Sequence, residues 1–349
     1  MTPGETGSSC SKLRPRRAGA DARALALLAV VLAASLLGAL PPAAGAATPA
    51  QILALLNKER ARNEIPAAIA EDPAWTSACL AHDAYEHANS TLSHSEIEGK
   101  LGYSAAGNLI AQTSVLAQGI EWGPGDPYDN APFHLFDLLN PRISSSGAAD
   151  SDGFGCVEIE LGTLRPAAAA VTAYSYPGNH KNGVPFSERA AEQPETPGQA
   201  LGLGKRATGP NMFVYFDGPW TNGSRTRLTS ATISSAHGGV AVRWLDNTSS
   251  DLLAPTGAIL VPVAPLRPAT KYRVHVTGSV TGVVPGSSIE EALPACVEEA
   301  SGSVACGQPA ATACVEEFAT QLAVCGLSRT WAVSEEFSFT TSRHGRSAA

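Results

Sequence analysis

Two histidines, His94 and His134, are the residues of this chain whose type and spacing could support chemistry. They lie forty positions apart, and the amide residue Asn108 lies between them. Two imidazoles brought into one cleft could act as a general base and its orienting group, or could bind a divalent metal. The three short segments that carry these residues are Leu92–Ser95, Gly107–Ala111 and Ala131–Pro141.

Catalysis by this pair is the less favoured interpretation. Hydrolysis would need a carboxylate or a nucleophile close to the reacting bond. Ser93 and Ser95 flank His94, but adjacent side chains rarely point at one another. Two imidazoles alone also make a weak metal site, because catalytic zinc normally has three protein ligands. We therefore expect His94 and His134 to bind zinc or magnesium only weakly.

The first 46 residues are predicted to be a secretory signal. Arg14, Arg16 and Arg17 precede an apolar run from Ala24 to Leu40, and a small-residue cleavage site ends at Ala46. The run is at the short limit for a membrane span, so an uncleaved anchor is the alternative. No later apolar stretch is long enough to cross a bilayer, and we expect a secreted protein.

The chain beyond this signal is acidic. Five of the 24 Lys/Arg and two of the 32 Asp/Glu lie in residues 1–46, which leaves 19 basic and 30 acidic residues. The remaining net charge is therefore about −11. Nucleic acids and anionic membrane surfaces require a basic binding surface, so we do not expect them as partners.

Six cysteines follow the signal, and an even number in an exported chain favours disulfides over metal. Cys79 and Cys156 could form one bridge, with two buried thiols as the alternative. The other four are not spaced like zinc ligands. We expect two local disulfides of undetermined pairing among Cys296, Cys306, Cys314 and Cys325.

Residues 47–174 alternate helical and extended patterns, which predicts an α+β domain. Helices are expected from Ile52 to Arg62, after the capping pair Asp72-Pro73, and from Phe133 to Leu139. Residues Gly155 to Leu161 alternate like a strand, which would place Glu158 and Glu160 on a solvated face. A weaker strand is expected from Ala169 to Tyr174.

Residues 175–210 are rich in proline and glycine, which predicts an extended linker. Residues 211–343 then predict an all-β sandwich. The four late cysteines would lie in an insertion at about 285–329. The expected strands are Met212–Phe216, Leu228–Ile233, Val240–Leu245, Ala258–Val263, Tyr272–Val276 and Phe337–Thr340.

Over about residues 49–165 the chain resembles the bacterial form of the CAP superfamily, also called SCP-like. The resemblance implies an α-β-α sandwich with a cleft that holds two histidines and, in many members, two acidic residues. It rests on four motifs in order: Leu55-Leu56-Asn57 with Arg60, Leu92-Ser93-His94-Ser95, Ala106-Gly107-Asn108-Leu109-Ile110-Ala111, and Ala131-Pro132-Phe133-His134 ending in Leu138-Leu139-Asn140-Pro141-Arg142.

The chain departs from the family at the middle motif. Where the family usually has Gly-Glu-Asn, this sequence reads Ala106-Gly107-Asn108, so the glutamate is missing. Glu121 is the candidate for the second acidic position. The cleft implied by the resemblance therefore consists of His94, Asn108, Glu121 and His134.

The later segment Leu266–Tyr272 resembles the tyrosine corner of immunoglobulin-like sandwiches, in which a tyrosine hydroxyl ties back to the preceding loop. Together, the two resemblances favour an extracellular, non-catalytic recognition protein with a lipid, glycan or protein ligand. The alternatives are a secreted hydrolase of cell-wall or peptide substrates that uses His94 and His134, and a purely structural envelope protein.

Overall fold

A computed structural model describes residues 47–119, 127–221, 223–253, 255–283 and 328–344. The predicted signal at 1–46, the cleft candidate Glu121 and the four late cysteines lie outside these residues. The described part combines helices with four β-sheets, so the chain is α+β as the sequence predicts. No helix within this part is long and apolar enough to cross a membrane.

The first helix, α1 (Pro49–Arg62), begins at a capping box. The Thr48 side chain accepts a hydrogen bond from the Gln51 amide, and the Gln51 side chain accepts one from the Thr48 amide. Proline at the first helical position needs no hydrogen-bond partner for its nitrogen. The helix buries Ile52, Leu53 and Leu56, which confirms the predicted apolar face.

Three further helices build the same layer. Helix α2 (Pro73–Asn89) starts at Asp72, whose carboxylate accepts hydrogen bonds from the amides of Ala74 and Trp75. Helix α3 (Ala105–Gln112) starts at Ser104, and the sequence did not predict it. Helix α4 (Pro132–Leu138) follows a 3₁₀ turn at Pro127–Asn130 and ends just before Leu139.

Two small sheets complete this layer. The two-residue strands β1 (Ala70–Glu71) and β3 (Ser145–Ser146) pair in parallel. Strands β2 (Ser114–Gln118), β4 (Ala148–Ser151) and β5 (Phe154–Glu158) form an antiparallel sheet in the order β2-β5-β4. Helix α2 packs on β4 and β5, and a disulfide joins Cys79 of α2 to Cys156 of β5. The predicted bridge between these two cysteines is present.

The second half of the chain forms two larger sheets. Their strands are β6 (Thr172–Tyr176), β7 (Lys181–Val184), β8 (Met212–Asp217), β9 (Arg225–Ser235), β10 (Gly238–Val240), β11 (Val242–Asp246), β12 (Gly257–Pro262), β13 (Lys271–Val283) and β14 (Ser328–Thr341). One sheet has four strands in the order β11-β12-β8-β6, and the other has five in the order β10-β9-β13-β14-β7.

Apolar side chains from both sheets form one core, as a sandwich requires. Val214 and Phe216 of the four-stranded sheet share this core with Val274 and Phe337 of the five-stranded sheet. The hydroxyl of Tyr272 accepts a hydrogen bond from the Arg267 amide at 2.8 Å, the tie to the preceding loop that the sequence indicated.

The four-stranded sheet also packs against the helical layer. Strands β8 and β12 are buried at every position. Phe213 and Tyr215 point away from the sandwich core into a second core that includes Phe136 of α4. The Tyr215 ring stacks on that of Phe136, and its hydroxyl donates to the Phe136 carbonyl oxygen at 2.9 Å. One sheet therefore serves two cores.

Residues 175–210 differ from the extended linker that their composition predicts. The end of β6 pairs with β8, β7 pairs in parallel with β14, and a helical turn, α5, spans Pro197–Ala200. Strands β6 and β7 are both at sheet edges, and Pro177 and Pro185 directly follow them. Proline and glycine are compatible with edge strands because one side of such a strand needs no pairing.

Candidate functional site

His94 lies in the loop between α2 and α3 and is exposed to solvent. Its Nδ1–H donates to the carbonyl oxygen of Ala111 at 2.8 Å. A carbonyl can only accept, so this contact places the proton of the neutral imidazole on Nδ1 and leaves Nε2 as an acceptor. His94 can therefore offer its Nε2 lone pair to a ligand, a proton or a metal ion.

Glu160 interacts electrostatically with His94. Partial burial raises the pKa of the Glu160 carboxyl, and the charge of His94 acts in the opposite direction. The residue is exposed, as the alternation of the strand predicts. The sequence did not connect Glu160 with His94, because the two residues lie far apart in the chain.

Glu158, two residues earlier, corrects the expectation of a solvated face. Its side chain is fully buried, and its carboxylate accepts hydrogen bonds from the amides of Leu161 and Gly162. Burial raises the pKa of this carboxyl to about 7, although the amide hydrogen bonds lower it. Glu158 thus organises the turn that follows β5.

His134 is fixed by a glutamate that the sequence did not predict. Glu192, only 1% exposed, accepts a hydrogen bond from His134 Nδ1 at 2.9 Å. The same carboxylate accepts from the amide of Phe133 at 3.0 Å. It therefore caps α4, whose N-cap residue Ala131 provides no side-chain cap. The ring of Tyr128 stacks on His134 with centroids 6.0 Å apart.

Asn108 holds the loop that contains His94. Its side-chain oxygen accepts a hydrogen bond from the Glu96 amide at 2.8 Å. The carboxylate of Glu96 extends toward Gly107, and a Cβ atom at position 107 would lie 2.2 Å from Glu96 Oε1. A side chain at position 107 would thus collide with the Glu96 carboxylate.

The Glu96 carboxylate belongs to a buried ionic cluster. Glu96 contacts His82 Nδ1 at 3.0 Å, and Glu86 contacts His82 Nε2 at 3.3 Å. All three side chains are inaccessible to solvent. Nε2 also faces the Ser93 carbonyl at 3.0 Å, so both ring nitrogens face acceptors, an arrangement that favours the imidazolium form of His82. Burial alone would lower the pKa of His82, but Glu86 and Glu96 raise it.

Of the four residues of the expected cleft, Asn108 has a structural role and Glu121 lies outside the described residues. Within the part of the chain that the structure describes, no three His, Cys, Asp or Glu side chains are grouped as a metal site. A two-histidine site at His94 and His134 stays a prediction.

A cavity of about 330 Å³ lies between the helical layer and the four-stranded sheet. Glu160, Asp137 and Arg142 contribute to its lining, together with Thr256, which directly precedes β12. Arg142 also forms a buried ion pair with Asp217 at 2.6 Å. Neither His94 nor His134 is among the described lining residues, but Glu160, which lines the cavity, interacts electrostatically with His94.

Exposed apolar side chains are concentrated in the chain segment that contains His94. Five of the seven large apolar residues that are exposed in the described part lie between positions 80 and 109, at 43% to 74% exposure. They belong to α2, to α3 and to the loop between them. We call this set the apolar loop surface: Leu80, Leu92, Ile97, Leu101 and Leu109.

Comparisons of the chain with protein-family models, with curated proteins and with solved structures gave no match. The geometry of the described residues therefore has to support any function assigned to the protein.

Proposed function

We propose that this protein is an exported, non-catalytic binding protein that recognises a ligand with an apolar portion through the apolar loop surface and His94. Its helical layer would be CAP-like and its sandwich immunoglobulin-like. The observation that carries the proposal is the concentration of exposed large apolar side chains in the chain segment that contains the exposed His94. Exposed apolar side chains that group into a patch commonly mark a binding site.

The roles of the neighbouring polar groups support binding over catalysis. Glu96 is buried with His82, and Glu192 caps α4. The hydroxyl of Ser93 contacts Ser95, so it is not directed at His94 as a nucleophile would be. A ligand would gain apolar contacts from the loop and one hydrogen bond to His94.

A fluorescent fatty acid, dansyl-undecanoic acid, provides a direct test, because its emission rises in an apolar environment. We expect the intact protein to bind this probe and the variant Ile97→Ser/Leu101→Ser to bind it at least about tenfold more weakly, since two large apolar contacts are lost. Leu164→Ser is the matched control, because Leu164 is equally exposed but lies outside the surface. Equal affinity in all three proteins would refute the proposal.

The second candidate is a secreted hydrolase, and the electrostatic interaction between Glu160 and His94 favours it. A carboxylate can stabilise the imidazolium that forms when a histidine acts as general base. Peptidoglycan and casein turnover should be measured for the intact protein and for His94→Ala/His134→Ala. Turnover that disappears only in the double variant would establish the hydrolase and overturn the non-catalytic assignment.

A further inference from the structure

A second polar cavity lies at the edge of the five-stranded sheet, remote in sequence from His94. It has a volume of about 220 Å³. We call it the edge pocket. Strand β7 forms this edge, and Asn182 lies opposite Thr340 of β14. On the other side of β14, Thr340 lies opposite Lys271 of β13. The lining residues are His180, Asn182, Lys271, Ser338, Phe339 and Thr340.

Strand pairing places the polar side chains of the pocket on one face. Residues directly opposite one another in a sheet share a face, and so do residues two apart in a strand. Lys271, Thr340 and Asn182 thus form one row across three strands, and Ser338 lies two residues before Thr340. The opposite face carries Phe339, which belongs to the sandwich core.

His180 is held over this face by the residues around it. Its Nδ1 lies 3.0 Å from the hydroxyl of Ser338, a residue that is only 7% exposed. The side-chain oxygen of Asn179 accepts hydrogen bonds from the amides of Ser338 and His180. The Ser338 hydroxyl can donate to Nδ1 or accept from it, so His180 can present Nε2–H whether it is neutral or charged.

The charges at the pocket favour an anion, although the chain as a whole is acidic. Lys271 is exposed and forms no ion pair with any described residue. Arg273 and His275 continue along β13 on the same face, and Glu336 faces both of them, at 3.4 Å from Arg273. The carboxylate therefore offsets charge further along the strand and leaves the ammonium of Lys271 for a ligand.

We propose that the edge pocket binds a phosphate group. The ammonium of Lys271, the Nε2–H of His180, the amide of Asn182 and the hydroxyl of Thr340 are four donor groups contributed by three strands and the residue before β7. Donors arranged around a cavity match a tetrahedral oxyanion better than the planar fork of a carboxylate. The ligand is inorganic phosphate, a phosphomonoester or a phosphodiester, all of which present this chemistry.

Calorimetric titration of the full exported chain with inorganic phosphate, glycerol phosphate and dimethyl phosphate tests the site and separates these three sources. We expect at least one of them to bind with a dissociation constant on the order of 1 mM, as few contacts support it. Acetate at equal ionic strength should bind more weakly, because its two oxygens lie in one plane and cannot face donors placed around a cavity as tetrahedral phosphate oxygens do.

Three variants make the test specific to the pocket. Lys271→Met should weaken phosphate binding roughly tenfold by removing the charged donor. His180→Asn should also weaken it, and asparagine tolerates the positive φ of 59° at this position. Arg227→Gln is the matched control, because it removes one positive charge from the same sheet. Arg227 belongs to β9 and pairs with Ser279 of β13.

No binding of any of the three phosphates would overturn the proposal. Unchanged affinity in Lys271→Met would also overturn it, and so would equal weakening by Lys271→Met and Arg227→Gln, since equal weakening would show an unspecific charge effect. If Lys271→Met unfolds, Ser338→Ala tests the same pocket without a charge change and should also weaken binding. The site is independent of His94, so the result does not depend on the proposed apolar ligand.

Discussion

The carboxylate of Glu96 occupies the space that a side chain at Gly107 would need, with Oε1 only 2.2 Å from the position of a Cβ atom there. The two residues lie on different elements, and Ser104, which caps α3, donates its amide to the same carboxylate at 2.7 Å. Glycine at position 107 is therefore a packing requirement of the buried cluster around His82.

Gly107→Ala should destabilise the protein by about 1–3 kcal/mol, because Glu96 is pinned by His82 and by the Ser104 amide and cannot move freely. This loss would occur although alanine favours a helix over glycine. Urea unfolding would measure the effect, with the exposed neighbour Ala106→Gln as the control. A double-mutant cycle with Glu96→Ala should show coupling of at least about 0.5 kcal/mol. Additive effects would contradict the contact.

Asp83 should make stability decrease as pH rises. The pKa of its buried carboxyl is raised from 3.8 to about 8, first by burial and then by Glu86. Between these values the folded state holds a proton that the unfolded state lacks, so the free energy of unfolding falls from about pH 4 to pH 8.

Asp83→Asn removes this titration. We expect the variant to be more stable than the intact protein at pH 8 by more than about 1 kcal/mol, and to lose the advantage near pH 4. Urea unfolding across this pH range measures both. Asp152→Asn is the control, because Asp152 is exposed. An unchanged pH slope in Asp83→Asn would contradict the raised pKa of Asp83.

The ion pair between Arg142 and Asp217 should contribute far more than a surface pair. It is almost buried and joins the residues after α4 to the end of β8. Asp217→Ala leaves a buried guanidinium without this partner and should cost about 3–5 kcal/mol. Glu336→Ala removes an exposed pair with Arg273 and should cost under about 1 kcal/mol. Urea unfolding of both variants measures the two losses of stability. Similar losses would contradict the larger contribution of the Arg142–Asp217 pair.

Glu192→Ala should destabilise the protein by about 1–2 kcal/mol, because α4 would lose its cap and His134 its Nδ1 partner. Glu192→Gln keeps an acceptor for the amides and should lose less. The nearby Glu195→Ala, for which no cap is described, serves as the control. Thermal unfolding of the three variants provides the measurement, and no difference between Glu192→Ala and Glu195→Ala would refute the capping role.

Local sequence signals predicted the elements that depend on neighbouring residues. The apolar period of α1, the Asp72-Pro73 cap of α2 and the alternation of the sandwich strands were each enough to predict the element that carries them. For Cys79 and Cys156 the sequence left a bridge and two buried thiols as alternatives, and the bridge is present. The tie from Tyr272 to Arg267 followed from a short motif.

The remaining features depend on contacts between distant segments. Glu192 reaches α4 from a stretch whose proline content suggested a linker, and Glu96 meets His82 only because the loop folds back onto α2. The sequence did contain a signal that the four-stranded sheet contacts two cores. Its strands include the uninterrupted apolar runs Met212–Phe216 and Ala258–Val261. Such runs are typical of strands covered on both faces, whereas strands covered on one face alternate apolar and polar residues.

The pairing of Val283 with Ser328, where β13 and β14 meet, has a practical meaning for the residues between them. The two ends of segment 284–327 are held side by side by a ladder that continues to Lys271 and Thr340. A short turn could therefore replace the whole segment without breaking the sandwich. This position is a natural site for exchanging or grafting sequence.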